Sequence, residues 1–124
     1  MIRLTKEQIV TMHKLLIIKT GGLDGIKDNG LLESAIQSPF QTFMGEELYP
    51  TIIKKASVLC YGLINNHAFF DGNKRIGILT MLTFLKLNGV VLTCTDNEIV
   101  QLGLGIASGN ISHNEISNWI IQHC

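Results

Sequence analysis

Nine consecutive residues, His67-Ala68-Phe69-Phe70-Asp71-Gly72-Asn73-Lys74-Arg75, hold most of what a phosphate-transfer site requires. An imidazole ordinarily changes charge near neutrality, so a histidine such as His67 is suited to take a proton from an attacking hydroxyl. Asp71 is the only carboxylate of the motif, a hard oxygen ligand suited to Mg²⁺ held with substrate phosphates. Gly72 lets the backbone turn tightly and come close to a ligand. A helix that starts just after it aims free N–H groups and a positive dipole end at the same place, which favours an anion. Asn73 can cap that helix or hold phosphate oxygens. Lys74 and Arg75 supply charge for the phosphates, and arginine can grip two oxygens at once. Phe69 is apolar and anchors the loop in the core.

Each residue alone has a plainer role. A lone histidine can cap a helix, Asp-Gly is a common turn dipeptide, asparagine is a frequent N-cap, and a Lys-Arg pair is usually solvated. Gathered at this spacing between two apolar helices, they read as a catalytic or phosphate-binding site.

The elements around the motif follow from periodicity and caps. Thr5 with Gln8 forms a capping-box pattern, and Ile9, Met12 and Leu16 follow at helical spacing until Gly21-Gly22 ends the helix. Asp28 or Asn29 caps a short helix through Leu31, Leu32, Ala35 and Ile36, which Pro39 stops. Residues 40–50 have no clean period and read as a loop over the core or a flap beside the site. From Thr51, residues Ile52, Ala56, Leu59, Cys60, Leu63 and Ile64 make one apolar helix face ending near Asn65-Asn66. The helix after the motif runs from about Asn73 to Asn88 and has little polar face, which marks it as central. Val90-Val91-Leu92-Thr93 reads as a short extended piece. Thr95 with Glu98 and Ser112 with Glu115 cap two more helices, the first weakened by Gly103, Gly105 and Gly109. The expected class is all-α, with a small β element at most.

Composition narrows the function. The chain has 124 residues, 46% of them hydrophobic and 16% charged, which suits one domain with a real core. Ten basic and ten acidic residues cancel, so no basic field draws in nucleic acid and none is expected to bind directly. Lys54-Lys55 reads as a solvated helix face. Cys60, Cys94 and Cys124 are odd in number and match no zinc or redox spacing. No apolar run is long enough to span a bilayer, and the start leads straight into a helix signal without a leader. A cytoplasmic protein with reduced thiols, away from membranes, is the expectation.

The motif resembles the signature of the Fic/Doc family, His-x-Phe-x-Asp/Glu-Gly-Asn-Gly/Lys-Arg. His67, Phe69, Asp71, Gly72, Asn73, Lys74 and Arg75 all fit. Further matches lie in Gly21-Gly22-Leu23-Asp24-Gly25, Gly30-Leu31-Leu32-Glu33-Ser34-Ala35, Leu48-Tyr49-Pro50, Phe84-Leu85 and Leu87-Asn88-Gly89. The chain is most similar to the death-on-curing (Doc) branch. The resemblance implies a compact helical bundle with the motif in a loop leading into a central helix. It implies a toxin that transfers a phosphoryl group, or alternatively AMP, from ATP with Mg²⁺ to a protein hydroxyl. His67 would then be the general base, Asp71 the metal ligand, and Gly72, Asn73, Lys74 and Arg75 the phosphate-binding set. Residues 40–50 would be the flap that aligns the target as an added strand.

Two departures bear on the chemistry. AMP-transferring members usually carry glycine at the position of Lys74 and a second arginine at that of Ile78. Both differences resemble the Doc branch, which binds the nucleotide in the other direction and passes its γ-phosphoryl to translation elongation factor Tu. Phosphoryl transfer is therefore preferred, although Gly72 is typical of the broader family. Ala68 stands where proline is frequent, with little chemical effect expected. The inhibitory Ser/Thr-x-x-x-Glu-Gly/Asn pattern of the family is absent, since Thr42 to Glu46 is followed by Glu47. Inhibition would then come from a separate antitoxin, with Leu15, Ile17, Ile18 and Phe43 as candidate contacts. A non-catalytic antitoxin-binding corepressor is the alternative from another class, and intact His67 and Asp71 argue against it. A metal-dependent hydrolase ranks last, because His13, His113 and His123 lack ligand spacing to them.

Overall fold

The structure, a computed structural model, describes residues 1–124. Six helices follow one another: α1 (Lys6–Thr20), α2 (Asn29–Gln37), α3 (Ile52–Asn65), α4 (Asn73–Leu87), α5 (Asp96–Ala107) and α6 (His113–His123). A 3₁₀ turn, Ser38–Phe40, follows α2, and the only sheet is a hairpin of β1 (Thr42–Phe43) and β2 (Glu46–Glu47). The molecule is therefore helical, as the periodicity implied.

Caps explain where the helices start. Thr5, Thr95 and Ser112 form complete capping boxes with Gln8, Glu98 and Glu115. Asp28 accepts from the N–H of Leu31, and Thr51 from that of Lys54. Each bond satisfies a donor that the helix itself leaves open. Gly21, at φ 87°, ends α1 in a conformation that side chains disfavour.

The core forms around α3 and α4, which pack against each other. α3 buries Ala56, Val58, Leu59, Cys60, Leu63 and Ile64, while α4 buries Ile76, Ile78, Met81, Phe84 and Leu85. Each large side chain removed from water contributes about 1.5–3 kcal/mol. Two helix crossings need glycine. A Cβ on Gly77 would sit 2.5 Å from Cγ1 of Ile64 and 3.2 Å from the carbonyl of Cys60. One on Gly62 would sit 3.2 Å from Cβ of Ala35, so α2 also lies close on α3.

Four local expectations need correction. Val90 to Thr93 forms no strand, and Thr93 instead donates its N–H to the carbonyl of His123 at 2.7 Å, tying the chain end to the segment before α5. The small β element lies at residues 42–47 instead. Gly109 lies past the end of α5, while Gly103 and Gly105 stand within it; a Cβ on Gly105 would sit 2.3 Å from Cδ1 of Ile111, so the absent side chain admits the following loop. Lys54-Lys55 is not a solvated pair. Lys55 is 2% exposed, bonds the carbonyl of Tyr49 and pairs with Glu47 at 3.0 Å. Lys54 reaches Nδ1 of His113 at 2.9 Å and bonds Asn114. Both lysines therefore tether neighbouring segments to α3.

Candidate active site

The motif loop is built against a second loop. Lys27 and Asp28 both donate to the carbonyl of Ala68, at 2.7 and 3.0 Å, and Phe70 donates to the carbonyl of Gly25 at 3.2 Å. Ile26 and Phe69 form an isolated antiparallel bridge. The segment between α1 and α2 thus serves as a backbone template. Ala68 and Phe69 turn inward, Phe69 to 1% exposure, which fixes the loop in the core. Asn66 adds a bond from Nδ2 to the carbonyl of Leu31 at 3.0 Å.

His67 behaves differently from its neighbours. Its backbone lies in the left-handed region, φ 50°, which a non-glycine residue occupies at some cost. Its side chain is exposed and engages no protein partner. The ring lines a cleft of about 420 Å³ together with Phe70, Asp71, Gly72, Asn73, Lys74 and Arg75. Ile64 and Ala107 complete the wall.

The start of α4 supplies the anion side of this cleft. Its N-cap is Gly72 in the left-handed conformation, φ 77° and ψ 19°, with no capping side chain. The other five helices each have a Ser, Thr or Asp oxygen there. The first intrahelical bond of α4 is Ile76 N–H to the Gly72 carbonyl at 2.8 Å. The N–H groups before it remain open to a ligand, with the dipole behind them.

The side chains of the motif divide the work unevenly. Asn73 is the first helical residue and not the cap. Its Oδ1 accepts from the N–H of Phe69 at 3.1 Å, and its Nδ2 donates to the Phe69 carbonyl at 3.0 Å. The side chain thus staples the loop shut, and what faces a ligand from Asn73 is mainly backbone. Arg75 has one guanidinium nitrogen committed, bonding the Thr20 hydroxyl and, at 3.0 Å, the Gly21 carbonyl. This closes the C-terminus of α1 and leaves the remaining donors of the fork for the cleft. Lys74 is exposed and without an ion-pair partner. Asp71 accepts the N–H of Leu23 on Oδ2 at 2.7 Å.

A model of the Fic/DOC family matches residues 3–85, which include every part of this arrangement except Ala107. The chain belongs to the Fic/Doc family. It is 38% identical over 89 residues to Toxin Doc of Mycolicibacterium smegmatis, across 72% of this chain and 66% of that protein, just under two thirds of its length. It is 29% identical over 115 residues to Protein kinase doc of Escherichia phage P1, across 93% of this chain and 90% of that one.

Membership of the Fic/Doc family implies Mg²⁺, and the donor set fits an ion that arrives with phosphates. No three His, Cys, Asp or Glu side chains converge on one point anywhere in the chain. Asp71 offers one carboxylate oxygen that no protein donor occupies. One carboxylate with phosphate oxygens and water is a common Mg²⁺ environment.

The resemblance to Fic/Doc proteins did not single out His13. It lies on α1, 1% exposed, stacked on Phe69 with ring centroids 3.8 Å apart. Its signal in the sequence was a polar residue between Ile9 and Ile17 on the buried stripe of the helix. The other histidines stand elsewhere, His113 beside Tyr49 and Tyr61, and His123 on Trp119. Within the expected flap segment of residues 40–50, Phe40 packs on the core and residues 42–47 form the exposed β1–β2 hairpin, held to α3 by Glu47 and contributing no residue to the cleft wall.

Proposed function

We propose that this protein is the toxin of a toxin–antitoxin pair and transfers the γ-phosphoryl group of ATP to a hydroxyl of a target protein. The observation that carries the reading is one cleft that joins an unpartnered imidazole, His67, to the uncapped start of α4 flanked by Lys74 and Arg75. His67 takes the proton of the target hydroxyl as its oxygen attacks phosphorus. The open N–H groups at residues 72–75, with Lys74 and the free edge of Arg75, hold the phosphate oxygens and offset their charge. Asn73 and Phe69 keep the loop in the shape that brings these donors together. Mg²⁺, held by Asp71 and the phosphates, would neutralise charge on the transferred group.

Phosphoryl transfer is favoured over AMP transfer by Ile78. It occupies the position where AMP-transferring relatives carry a second arginine, and it is 7% exposed, packed in the core. No cation can reach a phosphate from there. The relative named Protein kinase doc supports the same direction, and the one named Toxin Doc supports the toxin reading. Translation elongation factor Tu is the proposed target. The proposed antitoxin has apolar surface to engage on α1, where Leu15 and Ile18 are exposed, and on the hairpin at Phe43. Ile17 is buried and drops out of that set.

ATP labelled at either the γ or the α position, incubated with the protein and a bacterial lysate, tests the reading. Label from the γ position on a protein band, lost in His67→Ala, is the expected result. Label from the α position alone would establish AMP transfer instead. No labelled protein from either would leave the corepressor reading.

A further inference from the structure

His13 stands directly behind the motif loop. Its Nε2 lies 2.7 Å from the carbonyl oxygen of Asp71. A carbonyl oxygen only accepts, so Nε2 carries the proton and donates it. Nδ1 faces Oδ1 of Asp24 at 3.8 Å, beyond hydrogen-bond distance. The ring is clamped at 11° to the plane of Phe69, so it has little freedom to leave this position.

The planarity of the peptide unit then fixes a second group. In a trans peptide the C=O and the following N–H point in opposite directions, and this chain has no cis bonds. His13 draws the Asp71 carbonyl inward, so the Gly72 N–H points away from His13. Gly72 lines the cleft, and its N–H has no acceptor in the protein. An Asp-Gly peptide rotates easily, because glycine accepts either sign of φ. Rotated, it would present a carbonyl oxygen to an incoming phosphate in place of a donor.

We infer that His13 is a positioning residue that locks the Asp71–Gly72 peptide with its N–H toward the phosphate site. It touches no reacting atom and acts only through this peptide. The inference rests on the phosphate-binding reading of the cleft, which it deepens by adding a donor and the residue that holds it.

Two substitutions separate the hydrogen bond from simple packing. His13→Met keeps apolar length without a donor, and His13→Gln places an amide N–H at similar reach. Magnesium-ATP is titrated into each ¹⁵N-labelled protein while the Gly72 amide resonance is followed, with thermal melts to establish folding. The Gly72 amide is expected to respond in wild type and His13→Gln. In His13→Met that response is lost and affinity falls by about 10-fold or more, the effect of one charge-assisted bond. Equal affinity and an equal Gly72 response in His13→Met would overturn the role of His13 and leave the nucleotide reading intact. A wild type that does not bind magnesium-ATP would overturn both. Should His13→Met fail to fold, the ring-nitrogen shifts of wild-type His13 decide: an Nε2–H tautomer is expected, and an Nδ1–H tautomer overturns the inference.

Discussion

At the residue scale, His67 and Asn73 differ in what their loss should do. His67 makes no hydrogen bond within the protein and is exposed, so its side chain contributes little to folding. His67→Ala is expected to cut the transfer rate by about 10²–10⁴-fold. Its unfolding free energy should stay within about 0.5 kcal/mol of wild type, read by urea denaturation. Asn73→Ala removes both bonds to Phe69 and strands backbone groups inside the loop. That should cost about 1–3 kcal/mol of stability and weaken nucleotide binding as the loop loosens. The two are neighbours in one motif, and only the hydrogen bonds tell the chemical residue from the structural one.

Elements carry the site through their contacts. α4 can bring its open end beside His67 because Gly77 lets it lie directly on α3. Gly77→Ala would force Ile64 or the helix axis to move and should cost about 1–3 kcal/mol, measured as a lowered denaturation midpoint. Ile64 also walls the cleft, so the same change should weaken nucleotide binding. The hairpin depends on α3 in another way. Lys55 holds Glu47 and the Tyr49 carbonyl from a buried position. Lys55→Met is expected to speed amide exchange across residues 42–49 while the α3–α4 core keeps its protection. Uniform loss of protection would show instead that Lys55 supports the whole fold.

For the molecule as a whole, one ion pair secures the chain end. His123 binds Glu98 at 2.7 Å, and the Thr93 N–H binds the His123 carbonyl. The Trp119 carbonyl first, then Glu98, hold the His123 imidazolium above its ordinary value of 6.5. The Thr95 backbone N–H first, then His123, hold Glu98 below its ordinary 4.5. Stability from the raised histidine is present below 6.5 and lost as pH climbs past its folded value. Stability from the lowered glutamate is present above 4.5 and lost as pH falls past its folded value. The difference in melting temperature between wild type and His123→Gln should therefore be largest between 4.5 and 6.5 and shrink on either side. A difference that does not vary with pH would assign the tether to the backbone bond and the stacking on Trp119. Burial pushes the Cys60 thiol far up, so that cysteine stays protonated and inert across this range. No helix is long and apolar enough to cross a membrane.

The sequence by itself determined five of the six helix starts, because a capping side chain bonds a donor two or three residues away and needs nothing else. It determined the central place of α4, because a helix apolar on most sides can only be buried. It also assembled the motif, whose chemistry lies within one short stretch. Tertiary structure decided what each group is free to do. Asn73 is spent on Phe69, Arg75 is half spent on the end of α1, and His13 meets Asp71 across 58 positions of chain. Lys55 is buried because the hairpin folds back to meet it. Those outcomes depend on contacts between residues far apart in sequence, where no local period or spacing carries information.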